Sequence, residues 1–367
     1  LITQRCKHAN ASKGLILHNT LAVTVEGLPL GLIDQRFVDR KAFYSESADD
    51  QKNSGRHRKL SIEEKESARW IDVLKTVQTM NFASTQVVHV ADRECDIYEF
   101  FRDARSLEQD VLIRASRNRA INKKFRREKP SCLLFDKITN MRSQGSTCVR
   151  IQTNGIHKYR EAKLSIVRMP FDMPSPPNKT VRKDGDNLPM IPLMAISAIE
   201  RKPPKGEKPL HWILITNLQV NNFEQAIEKV NWYSTRWNVE VFHKILKSGC
   251  GVEKAQLHSG ERLKKYAVLK SIVAWRVFWL SRVHQRDPLA PCDQALSRDE
   301  WTLLYKKTHK TNKLPDTVPS IGEAINWLSR LGGYIGRASD PPPGVVSLWR
   351  GWQRLSEIVD DFRDIYG

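Results

Sequence analysis

The sequence predicts an α/β domain that is interrupted by an all-β segment and followed by a helical tail. Residues 86–91 form a short apolar, β-branched strand that stops at Asp92, just before an apolar helical run at 97–102. Strand, acid, helix is the order in which α/β proteins set out a functional strand end. From about 131 to 218 the periodicity turns β-like, with strands at 148–152, 162–168 and 193–198. Breaks rich in Pro, Gly or Asn at 173–177, 183–187 and 202–206 separate them. Long helical runs follow at 222–247 and 263–284, and 293–367 is mostly helical and rich in Trp and Arg. The predicted organisation is a first α/β part (1–115), a mainly β insert (116–218), returning helices (219–287) and a helical C-terminal region (288–367).

Taken in order, 15–25 and 30–38 are extended runs joined by the turn Glu26-Gly27-Leu28-Pro29, a hairpin expected at the heart of a sheet. Residues 41–60 are polar and basic and read as a loop. Ser61-Ile62-Glu63-Glu64 resembles a capping box opening a helix to about Met80, with Trp70, Val73, Leu74 and Val77 as one stripe. Asp92 is either the N-cap of the next helix or a working acid, and Glu94 and Asp96 compete for the second role. The strand 111–115 contains Arg114 and leads into Arg117, Arg119, Lys123, Lys124, Arg126, Arg127 and Lys129, a solvated basic surface or a set of phosphate contacts. Trp212, on the strand 211–216, either packs in the core or stacks on an unpaired base.

The stretch 232–247 has no Pro or Gly and reads as part of one helix ended by Gly249. On it, Tyr233, Arg236, Glu240 and Lys247 share one narrow face, while Val239, Val241, Phe242, Ile245 and Leu246 spread over the other side. Such a face is either a solvated surface with ordinary ion pairs or a carboxylate for a metal flanked by cations for phosphates. Composition favours a polyanionic partner: 60 Lys and Arg against 41 Asp and Glu give a formal charge of +19. No apolar run reaches the roughly 18 residues of a transmembrane helix, and no signal peptide is visible. The six cysteines, without a CxxC pair, read as free thiols of a reducing compartment and not as a disulfide frame or zinc site. The chain begins with Leu1, and its first carboxylate is Glu26, so it is expected to lack its natural beginning.

Tyr233-x2-Arg236-x3-Glu240-x6-Lys247 resembles the YREK signature of bacterial DDE transposases of the insertion sequence 4 family, in particular its transposon 5-like members. The flanks agree: Arg236-Trp237, Glu240-Val241-Phe242-His243-Lys244, Asp92-Arg93-Glu94-Cys95-Asp96-Ile97, Pro203-Pro204-Lys205-Gly206 before Trp212-Ile213-Leu214-Ile215-Thr216, and Trp327-Leu328-Ser329-Arg330-Leu331-Gly332-Gly333. The resemblance implies an RNase H-like catalytic core interrupted by a β insert, with a C-terminal helical dimerisation region. It implies cut-and-paste transposition by phosphoryl transfer, with two Mg²⁺ ions (Mn²⁺ able to substitute) on three carboxylates. Asp92 and Glu240 match two of these; Tyr233, Arg236, Lys247 and Arg114 match phosphate contacts, and Trp212 matches the position that stacks on a flipped base. The implied partners are transposon ends, target DNA and a second copy of the chain, in the bacterial cytoplasm, with no membrane.

The family's first catalytic Asp has no counterpart, since Glu26 lies in a hairpin turn and Asp34 in a strand. The chain as it stands is therefore expected to be inactive, part of an active full-length enzyme. Two alternatives stay open: an inactive remnant that inhibits through DNA binding or mixed dimers, and a non-transposing RNase H-like nuclease.

Overall fold

In the computed structural model of the protein, residues 2–4, 13–39, 62–63, 65–82, 84–121, 132–152, 159–176, 188–337 and 343–366 are described. The chain forms two compact units, one of Leu1–Asp39 with Trp237–Gly367 and one of Arg40–Arg236. These units divide the chain at places other than the four predicted segments, most notably between Arg236 and Trp237.

The first unit opens with β1 (Ile2–Gln4), β2 (Lys13–Val23) and β3 (Pro29–Asp39), an antiparallel sheet in the order β1-β2-β3. The predicted hairpin is present. Its turn uses Gly27 at φ 85°, a left-handed conformation that a Cβ would strain. Its neighbours differ from expectation: within the described residues the hairpin belongs to this small sheet, because periodicity identifies strands but not their partners.

The second unit contains α1 (Ala68–Gln78), β4 (Val88–Ala91), α2 (Tyr98–Ser106), β5 (Asp110–Arg114), α3 (Leu134–Asn140), β6 (Gly145–Gln152), β7 (Tyr159–Met173), β8 (Ile191–Glu200), β9 (His211–Thr216) and α4 (Phe223–Ser234). Six strands form one mixed sheet in the order β4-β5-β9-β8-β7-β6. Only β4 and β5 run parallel; every other neighbouring pair is antiparallel. Alternate residues feed two cores. Leu112, Leu164, Ile166, Ile196, Ala198 and Leu214 join Val230 and Tyr233 of α4 in one cluster. Val111, Ile113, Ala195, Ile213 and Ile215 join Leu74 of α1, Phe101 of α2 and Ile138 of α3 in another. Full burial of each such large side chain contributes roughly 1.5–3 kcal/mol.

Three details correct the sequence reading. The first helix starts at Ala68, and the capping-box residues Ser61 and Glu64 lie outside the described residues. The segment read as all-β carries the short α3, whose Leu134 and Ile138 are buried one helical turn apart, and its strands extend the same sheet as β4 and β5. Among the described strands β4 is an edge and not a centre.

One buried ion pair locks the β7–β8 ladder. Arg160 donates to both oxygens of Glu200 at 2.5 and 2.8 Å, and the amide of Leu210 donates to the same carboxylate at 3.0 Å. The Arg160 hydrogen bonds hold Glu200 below the ordinary glutamate value. The stabilisation is therefore complete above the ordinary value and is lost as pH falls through the depressed one. Glu200→Gln should cost about 2 kcal/mol in urea unfolding at pH 7, with the gap to wild type narrowing in acid; a gap unchanged by pH would refute the charge-based account.

The remainder of the first unit is helical: α5 (Trp237–Lys244), a π turn (Ile245–Gly249), α6 (Gly260–Arg286), α7 (Arg298–His309), α8 (Ile321–Leu331) and α9 (Val345–Tyr366). Ser297 and Ser320 close capping boxes with Glu300 and Glu323. The core runs from Phe242 through Phe278 and Leu304 to Leu328 and Leu355. A buried polar chain ties the hairpin to these helices: Gln35 donates to Asn19 at 2.8 Å and to Ser271 at 2.7 Å, and Asn19 donates to His243 at 3.0 Å. Burial holds His243 below its ordinary value, which suits an acceptor role. Near its end α8 approaches the backbone of α9 closely. A Cβ on Gly332 would lie 1.8 Å from the Ser347 carbonyl oxygen, and one on Gly351 would lie 1.8 Å from that of Leu328.

Among the described residues no helix is long and apolar enough to cross a membrane. Five cysteines are free thiols; Cys6 lies outside the described residues.

Candidate functional site

Strand β4 delivers Asp92 to its C-terminal end, where a single 3-10 turn, Arg93–Cys95, begins. Asp92 Oδ1 accepts the Glu94 amide at 3.0 Å, so it does cap this turn. The two competing acids are engaged elsewhere. Glu94 pairs with Arg69 at 2.6 Å. Asp96 is buried, accepts the Ser116 amide at 2.7 Å and the Ser116 hydroxyl at 3.1 Å, and pairs with Arg119. No described ion pair uses Asp92.

The neighbouring strand end places Arg114 in the same cluster. Its guanidinium donates to the His211 carbonyl at 2.9 Å and hydrogen-bonds the Tyr233 hydroxyl. Burial, then the like charges of Arg93 and Arg236, pull Arg114 below the usual guanidinium range, while Tyr233 opposes them. Tyr233 is only 3 % exposed. Burial raises its phenol, Arg236 and Arg114 lower it, and Asp92 raises it. Its ring meets Trp212 edge-on, centroids 5.0 Å apart. Trp212 is itself 9 % exposed, part of the core face of β9. His211 is exposed at the start of β9; partial burial and then the charges of Arg114 and Arg93 hold its imidazole below the ordinary value. Asp92, Arg93, Arg114, His211, Tyr233 and Arg236 thus act electrostatically on one another at one end of the sheet.

The helix carrying the predicted polar face is not continuous. It stops at Ser234, turns through Thr235 and Arg236, and resumes as α5. The hydroxyls of Ser234 and Thr235 bond back to the carbonyls of Asn231 at 2.6 Å and Trp232 at 2.7 Å. The amides of Thr235 and Arg236 reach only three residues back. Adjacent hydroxyl residues compete for the helical acceptors and tighten the backbone there. The chain then widens into the π turn at Ile245–Gly249. Tyr233 and Arg236 therefore end the second unit, whereas Glu240 and Lys247 belong to the first. Glu240 is exposed, and Lys247 pairs with Glu253 at 3.2 Å. The expected packing side is confirmed for Phe242, Ile245 and Leu246, all buried; Val239 and Val241 are half-buried.

Of the basic run after β5, Arg117 and Arg119 are described, and Lys123, Lys124, Arg126, Arg127 and Lys129 lie outside the described residues. Sequence reasoning overlooked Arg93 and His211 as members of the cluster. Their signal was adjacency, Arg93 directly after the strand-end acid and His211 directly before Trp212.

A mixed sheet with helices on its faces, a strand-end carboxylate and gathered arginines defines a nucleic-acid-processing α/β protein. Residues 63–276 match the model of the transposase DDE domain, and residues 272–366 match the transposase Tn5 dimerisation domain. The chain belongs to the DDE transposase family.

Proposed function

We propose that the protein performs metal-dependent phosphoryl transfer in cut-and-paste transposition, acting on transposon inverted-repeat ends and target DNA as a homodimer in a synaptic complex. The observation that best supports this reading is the grouping of Arg93, Arg114 and Arg236 around Asp92 and Tyr233, within the span that matches the DDE domain. Cations held together, with Asp92 as the carboxylate acting among them, repel one another until an anion joins them, and a phosphodiester is the anion that suits guanidinium geometry. The surplus charge of +19 acts in the same direction at longer range.

Asp92 and Glu240 are the carboxylates proposed to hold Mg²⁺, with Mn²⁺ able to substitute. Among the described residues no three His, Cys, Asp or Glu side chains are grouped as a metal site. Two carboxylates still suit this ion, which commonly takes one or two from the protein and completes its shell with water and phosphate oxygens. When bound, the ion supplies charge neutralisation at the phosphodiester and a more acidic water. The chain's own residues position the DNA: Tyr233 orients Arg114, Arg114 and Arg236 hold phosphate oxygens, and Lys247 adds a further phosphate contact. Trp212 enters this reading as the surface for an unpaired base, a role that requires its ring to be uncovered.

Each phosphate contact contributes about 0.9 to the slope of log affinity against log salt. Arg236→Gln and Lys247→Gln should each flatten that slope by roughly one unit in anisotropy titrations of duplex DNA; an unchanged slope removes the residue from the phosphate-binding set.

A further inference from the structure

We infer that His211 is a proton-gated member of the anion site, taking up a proton as DNA phosphate binds beside Arg114 and Arg93. This rests on the reading of that cluster as a DNA-phosphate site. His211 stands at the start of β9, and its backbone carbonyl accepts a hydrogen bond from the Arg114 guanidinium at 2.9 Å, so the imidazole is anchored next to a cation. Arg93, on the turn after β4, also acts on it. The side chain is exposed at the surface and remains accessible to a ligand.

The charged and titratable groups around it can be named element by element. Arg114 on β5 and Arg93 beyond β4 face it directly. Asp92, Tyr233 and Arg236 complete the cluster around Arg114 and Tyr233. On β8, His211 pairs with Ile199, and the adjacent Glu200 is committed to Arg160 and the Leu210 amide. No carboxylate acts on His211 among the causes that set its titration, which are partial burial and two arginines.

The sign follows from these neighbours. In the free protein the two arginines disfavour imidazolium, so His211 is mostly neutral near pH 7. A bound phosphate diester offsets them and favours the charged ring, raising its pKa. Between the free and bound values, binding takes up a fraction of a proton. Affinity then rises as pH falls, by at most about tenfold per pH unit for one linked proton.

The test uses the full chain in EDTA with a mixed-sequence duplex of about 20 base pairs, whose phosphates do not titrate between pH 6 and 8. Affinity is measured across that range, and proton uptake is measured calorimetrically in buffers of different ionisation enthalpy. Wild type should bind several-fold more tightly at pH 6 than at pH 8, with net proton uptake. His211→Ala should lose most of both effects, and His211→Lys should bind tightly at pH 8 with little pH dependence. Wild-type binding without proton uptake, or His211→Ala retaining the full pH dependence, overturns the assignment while leaving the phosphate site intact. A chain that binds no DNA at any pH overturns both.

Discussion

Glu240→Ala and Asp92→Asn, introduced into the natural full-length protein, are expected to leave DNA bound but uncut. Glu240 is exposed, so removing its carboxylate opens no cavity. Asp92 also caps the Arg93–Cys95 turn through Oδ1, which makes alanine an ambiguous substitution there. Asparagine retains a capping oxygen and removes only the charge. If either carboxylate holds Mg²⁺, strand nicking at inverted-repeat ends should fall by at least about 10³-fold while duplex affinity in EDTA stays within about twofold. Loss of binding equal to the loss of cleavage would instead assign both residues to folding or DNA contact. Equal wild-type cleavage of random duplex and transposon ends would favour a plain nuclease.

Gly351→Ala is expected to disrupt the C-terminal helical packing. The new methyl would lie 1.8 Å from the Leu328 carbonyl oxygen, and Gly332 meets Ser347 at the same distance from the opposite side. Both obstacles are backbone, which cannot rotate away, so the helices must separate. Their separation would loosen a core that includes Leu328, Leu348 and Leu355. A loss of 3 kcal/mol or more on urea denaturation is a reasonable order of magnitude for such overpacking. Because residues 272–366 match a dimerisation domain, sedimentation should also show weaker self-association. Gly344→Ala, with nothing within 4 Å of the added carbon, is the control and should change little. Equal stability of the two variants would mean that the crossing is not tight.

How much of this could be read from residues alone differs from element to element. Strand β9 was legible to the residue, because an apolar run is flanked by Pro and Gly on one side and Asn on the other. The long α6 was legible from its length and apolar content. The break at Ser234-Thr235 was not, since helix breaks are read from Pro and Gly and here two hydroxyls do the work through local hydrogen bonds. The burial of Tyr233 was also hidden. A phenol in register with Arg236 and Glu240 looks like part of a surface face, yet its ring packs on Trp212 while its hydroxyl reaches Arg114. Strand order could not be read at all, because a two-residue period says which side chains share a face and nothing about which strand lies alongside.

The six-stranded sheet feeds separate cores from alternate residues of β5, β8 and β9. Substitutions and length changes should therefore have very different fates in this gene. Exchanging Ile213 for Val leaves every neighbour where it was. Deleting one codon within β9 would send Trp212 and Leu214 toward the partners of Ile213 and Ile215, and the reverse, so both faces would be mispacked by a single event. Related genes should thus accumulate insertions and deletions in the turn at 201–210, while β5 and β9 drift only by replacement.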